Sequence, residues 1–156
     1  MRFQYQITLG EEGKLEALEG VLHCPGDPTA HHHRIYPMPL WIAESHRLQG
    51  VDIPGRFLEP DALPPARGFE PEFVVRDLVA VRNGTVRGRV ILTSPHAVKE
   101  IKLLADNGMP TEYEVSIVGV GDVIREHDID VVQVGYQLEA IHLVKVQPAP
   151  RMEASR

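Results

Sequence analysis

Ser116 is the residue best placed to do chemistry. It stands inside a strand-like run from Thr111 to Ile124, TEYEVSIVGVGDVI, with Gly119 and Gly121 close behind it. Alternation sets Tyr113 and Val115 on one face and Glu114, Ser116 and Val118 on the other. Glycines inside a strand mark a bulge or the close approach of another backbone or a ligand. A serine hydroxyl is inert at its own pKa and becomes a nucleophile only beside a base, with donors aimed at the oxyanion. Three histidines are candidate bases: His142 in the strand-like LEAIHLV, His46 and His96. Their spacing does not choose among them.

Other reactive residue types carry less. His31, His32 and His33 follow His23 and Cys24. Adjacent residues of an extended chain point in opposite directions, and no carboxylate or Cys pair sits at the spacing of a tetrahedral zinc site. The run therefore reads as a solvated loop, with no metal expected. Cys24 is followed by Pro25 and Gly26, and nothing there lowers a thiol pKa. Gly119-Val120-Gly121 lacks the third glycine and the following helix of a phosphate loop, so no cofactor is expected.

The elements that must position Ser116 follow from periodicity. Residues 2–9 alternate Phe3, Tyr5, Ile7 and Leu9 against polar partners, which predicts a half-buried strand. Leu15 to His23 predicts a second strand, stopped by Cys24-Pro25-Gly26-Asp27-Pro28. Pro37 or Pro39 opens a short helix over about Leu40–Leu48. Gly50 to Pro71, broken by prolines and by Gly55 and Gly68, reads as a loop long enough to be functional or partly mobile. Phe73–Arg82 and Thr85–Thr93 form a hairpin about Asn83-Gly84, the pair favoured by type I′ turns. Ser94 caps a helix from Pro95 to Asn107, ended by Gly108. The Ser116 strand comes next, then a polar link over Arg125–Asp130 and a strand region over Val131–Val146. The sum is an α+β fold, a mostly antiparallel β-barrel-like sheet with two or three flanking helices.

Composition bounds the function. The chain has 156 residues, enough for one domain with a real core. Its net charge of −6 and lack of a basic stripe argue against nucleic acid as a partner. No apolar run approaches the roughly 20 residues that span a bilayer, so no membrane partner is expected. The single cysteine excludes an internal disulfide framework and suits a reducing compartment. The expected location is a cytosol, or an assembly built in one.

A set of segments in order adds a family. Gly20-Val21-Leu22, Arg34-Ile35-Tyr36-Pro37, Gly55-Arg56-Phe57-Leu58-Glu59-Pro60, Val86-Arg87-Gly88-Arg89, Gly108, Val115 to Gly121, Leu138 to Val144 and Pro148-Ala149 together resemble the prohead (head-maturation) serine proteases of tailed phages. That resemblance implies the herpesvirus assemblin type of barrel over residues 1–148, with 149–156 as a loose tail. It sets Ser116 on the nucleophile, Glu59 where the family has its base histidine, and His142 on the third member, usually an acid. Ile117 and Val118 replace a serine and an oxyanion-site arginine. A carboxylate near its usual pKa of about 4.3 is a poor acceptor for a serine proton at neutral pH. One lost oxyanion donor is worth on the order of 3 kcal/mol. The expectation is therefore a structural or assembly protein of a tailed-phage head whose catalytic set has decayed. Its partners would be capsid or other head proteins and further copies of itself, in the host cytoplasm during assembly and in the virion head. The alternative is an active maturation protease, including one with an exchanged triad Ser116–His142–Glu59.

Overall fold

The computed structural model describes residues 1–23, 25–29, 33–81, 83–108 and 112–146. Cys24, His31, His32 and the tail at 149–156 lie outside the described residues.

Alternation becomes strand where one face can be buried. β1 (Arg2–Leu9) and β2 (Leu15–His23) are the two expected strands, and they pair antiparallel, joined through a 3₁₀ turn at Glu11–Gly13. β3 (Arg34–Ile35) leads into α1 (Met38–Arg47), and β4 (Ile53–Gly55) and β5 (Phe57–Leu58) follow. The hairpin β6 (Phe73–Val81) and β7 (Thr85–Leu92) precedes α2 (Pro95–Asp106). The chain then runs through β8 (Glu112–Val120), β9 (Val123–Glu126), β10 (Ile129–Val132) and β11 (Gln137–Lys145).

Eight strands make one sheet in the order β4-β6-β7-β2-β1-β8-β11-β5, antiparallel except for the β11–β5 pair. Its two edges, β4 and β5, are separated by Arg56 alone. One short kinked segment therefore pairs with β6 on one side and β11 on the other, nearly closing the sheet into a barrel. Gly55 permits this: a Cβ there would stand 2.0 Å from the Ile141 carbonyl oxygen and 2.3 Å from the Phe73 ring. Inside lie Phe3, Leu18, Phe57, Phe73, Val86, Val90, Tyr113, Val115, Ile117, Ile141 and Leu143. A smaller sheet, β3-β10-β9, flanks the barrel.

α1 buries Leu40, Trp41 and Glu44. Glu44 is 3% exposed, takes both Nε and Nη2 of Arg47 (2.8 and 2.5 Å), and accepts the Leu138 N–H at 2.9 Å. That clamp ties the helix to the start of β11. α2 begins as expected, with Ser94 Oγ accepting from Ala97 N–H at 3.1 Å, and buries Ala97 and Ile101.

Four expectations change. The 50–71 loop contains β4 and β5, which are held by pairing with distant strands and not by local alternation. The polar link at 125–130 is a hairpin, β9–β10, and the single strand region 131–146 divides into β10 and β11. The β6–β7 connection is three residues long, since Val81 pairs Thr85, and Gly84 alone of the pair Asn83-Gly84 takes a positive φ (78°). That is the longer hairpin loop with a left-handed glycine, not a type I′ turn.

Candidate functional site

Ser116 and His142 are direct cross-strand partners on β8 and β11. Both side chains lie on the face opposite the core row Val115, Ile117, Ile141 and Leu143, and both residues are 0% exposed. Cross-strand partners on one face have Cβ atoms about 5 Å apart, so the sheet itself brings hydroxyl and imidazole together. Ser116 Oγ nevertheless makes no hydrogen bond among the described residues.

The next strand completes the row. β5 runs parallel to β11, with Phe57 opposite Leu143 and Leu58 opposite Val144. This sets Arg56, the kink residue, beside His142. The Arg56 N–H donates to His142 Nδ1 at 3.1 Å, and the Arg56 carbonyl accepts from Leu143 N–H at 3.1 Å. A neutral imidazole whose Nδ1 lone pair is engaged carries its proton on Nε2. Neither nitrogen then offers a lone pair to a serine proton. The Phe69 ring packs on the imidazole, centroids 5.1 Å apart at 56°, placing the loop before β6 over the pair.

Glu59 lies elsewhere. It follows β5 with its side chain 69% exposed, and its Oε1 is 2.7 Å from Lys145 Nζ, which is also 2.7 Å from Glu100 Oε1. Lys145 is three residues beyond His142, roughly 10 Å along a strand. Glu59 therefore sits outside the row Ser116–His142–Arg56. Of the other candidate bases, His46 is exposed on α1, and His96 is exposed on α2 with its Nε2 3.8 Å from Glu72 Oε2.

Ile117, which the resemblance set in place of a serine, belongs to the core, and its carbonyl accepts from Tyr36 OH at 3.5 Å. Burial pushes the Tyr36 phenol well up from its usual range, and the neighbouring Tyr136 adds to the rise. The glycines after Ser116 answer to packing. A Cβ on Gly119 would meet the Gln137 carbonyl oxygen at 2.4 Å and the Tyr136 ring at 2.5 Å; one on Gly121 would meet Tyr136 Cα at 2.4 Å.

Sequence reasoning missed Arg56 and Phe69 as neighbours of the pair, and Glu72 as the side chain that braces Arg56. Arg56 acts through its main chain, which no residue type announces. Glu72 is 6% exposed, accepts Phe57 N–H at 3.2 Å, and pairs with the Arg56 guanidinium at 3.3 Å. A lone glutamate between Pro71 and Phe73 carries no signal of that role.

No protein-family model matches the chain, and no curated protein matches it in sequence. Among solved structures, the capsid assembly protease gp21 of bacteriophage T4 superposes with a TM-score of 0.63 at 16% identity, over 94% of this chain and 92% of that one. The chain shares the fold of a phage capsid assembly protease. The nearly closed, mostly antiparallel barrel with two helices described above is that fold. A fold at this identity says nothing by itself about chemistry. Among the described residues no helix is long and apolar enough to cross a membrane.

Proposed function

We propose that the chain is a structural or assembly protein of a tailed-phage head, built on a protease fold whose Ser116–His142 pair does not hydrolyse peptides. One observation carries the reading: the Arg56 N–H occupies Nδ1 of His142, the cross-strand partner of Ser116. Without a base, general acid–base assistance worth about 10²–10⁴ in rate is lost. Two further facts support it. Ser116 is sealed from any peptide by its own fold, and Glu59 is committed to Lys145. The partners on this reading are capsid or other head proteins and sister copies, and the net charge of −6 suits protein contacts better than packaged DNA.

The register of Ser116 against His142 favours a second reading, a maturation protease whose loop around Phe69 withdraws and whose imidazole turns. One experiment separates the two. Purified protein is treated with a fluorophosphonate probe, alone and with co-expressed head proteins. The assembly reading expects no adduct and no cleavage under either condition. Labelling that disappears in Ser116→Ala would establish the protease.

A further inference from the structure

The polar groups along the α2 side of the barrel seam form a cluster apart from the Ser116–His142 row. His96 and Glu100 are four residues apart on α2, which puts them on one face of the helix. Facing them is Glu72, immediately before β6. One oxygen of Glu72, Oε1, is taken by the Phe57 N–H and Arg56, while Oε2 turns to His96 Nε2 at 3.8 Å. That separation is too long for a hydrogen bond. It does suit two ligands of one ion, which at about 2.0–2.2 Å from a metal stand roughly 3–4 Å apart. One ligand atom from each of Glu72, His96 and Glu100 lies within 4.8 Å of the others.

The charges leave room for a dication. Glu59, Glu72 and Glu100 give −3 against +2 from Arg56 and Lys145, a net of −1 with His96 neutral. Lys145 Nζ sits against Glu100, yet Glu100 Oε1 is buried without an oriented hydrogen bond. The same ammonium is 2.7 Å from Glu59, so an arriving cation can displace it onto Glu59 without stranding it. His96, with its side chain 76% exposed, is free to swing the last ångström inward and leaves one side of the site open to solvent.

From this geometry we infer that Glu72, His96 and Glu100 bind a divalent transition-metal ion of the zinc class. One imidazole with two carboxylates suits Zn²⁺, Co²⁺ or Ni²⁺ better than Ca²⁺, which takes six to eight oxygens. The ion ties α2 to the residue that braces Arg56 and Phe57. The site is independent of whether Ser116 reacts.

The test is calorimetric titration with Zn²⁺ alone. It uses the full chain carrying His31→Ala, His32→Ala and His33→Ala, so that three consecutive imidazoles do not bind the metal on their own account. One equivalent should bind, with the melting temperature raised by several degrees at saturation. His96→Ala and Glu100→Gln should each weaken binding by roughly tenfold to a hundredfold. Lys145→Met should tighten it, because the competing ammonium is gone. Both residues of the first pair lie outside the core, so the variants stay folded by circular dichroism. Absence of saturable binding, or an affinity unchanged in both His96→Ala and Glu100→Gln, overturns the site.

Discussion

The main chain of Arg56 holds the ring of His142: N–H to Nδ1 at 3.1 Å, with the Arg56 carbonyl returning a bond to the next residue of β11. The imidazole is thus part of the strand pairing that closes the barrel. A group held by main chain is set by the fold, and no substitution at Arg56 that keeps the backbone N–H releases it. Arg56→Ala should leave Ser116 as unreactive as before and lower stability by about 1–3 kcal/mol, because it takes the guanidinium from the buried Glu72 carboxylate. A fluorophosphonate adduct appearing on Arg56→Ala would contradict this account.

Ser116→Ala should not destabilise the protein. The hydroxyl is fully buried and makes no hydrogen bond among the described residues, so its removal abolishes a desolvation cost of about 1–3 kcal/mol. Urea unfolding should place the variant level with the parent or up to about 1 kcal/mol above it. A loss of more than that would mean the oxygen has a partner.

Glu44→Ala should be among the most damaging changes outside the core. It strands the Leu138 N–H and frees Arg47, at a cost of about 2–4 kcal/mol. Arg47→Ala leaves a buried carboxylate uncompensated and should also destabilise. Thermal unfolding of the two single variants and the double variant should show a coupling of at least about 1 kcal/mol. Simple additivity would rule out the clamp.

Gly55→Ala tests the seam. Its methyl would press on the Ile141 carbonyl and the Phe73 ring, both in packed structure, so a loss of more than about 3 kcal/mol or failure to fold is expected. A soluble variant with the parent melting temperature would show that the segment does not run against the Ile141 carbonyl and the Phe73 ring.

Alkaline stability follows from the phenols. Burial pushes the pKa of Tyr5, Tyr36 and Tyr113 upward in the folded protein. A raised folded pKa gives stability that is complete below the unfolded value of about 10 and is lost as pH rises above it. Each phenol then removes about 1.4 kcal/mol per pH unit. Tyrosinate absorbance at 295 nm should therefore rise together with unfolding, and Tyr113→Phe should shift that transition to higher pH. Titration of Tyr5, Tyr36 and Tyr113 near pH 10 in the folded protein would refute it.

Local patterns carried much of this fold. β1 and β2 fall on the residues where alternation sets them, and α2 begins at the cap that Ser94 announces. Short elements were hidden, because β4 and β5 span three and two residues and include Pro54 and Gly55, which read locally as breaks. Their order comes from partners across the chain, such as Leu143 for Phe57. The site was half legible. Ser116 and His142 could each be picked out, but their register depends on the β10–β11 turn and a bulge between Leu138 and Ala140. Glu44 carries no local signal of its role, because the amide it accepts from, Leu138, comes from far along the chain.

The six residues from Ile53 to Leu58 have a consequence for how the molecule comes together. Pairing β5 with β11 joins Phe57 to Leu143 across 86 positions of chain, a late and entropically costly contact compared with the hairpins. The same stitch fastens the ring of His142. Unfastening it, by breathing or by a partner that inserts its own strand at this margin, would release the imidazole and unlock the barrel in a single movement.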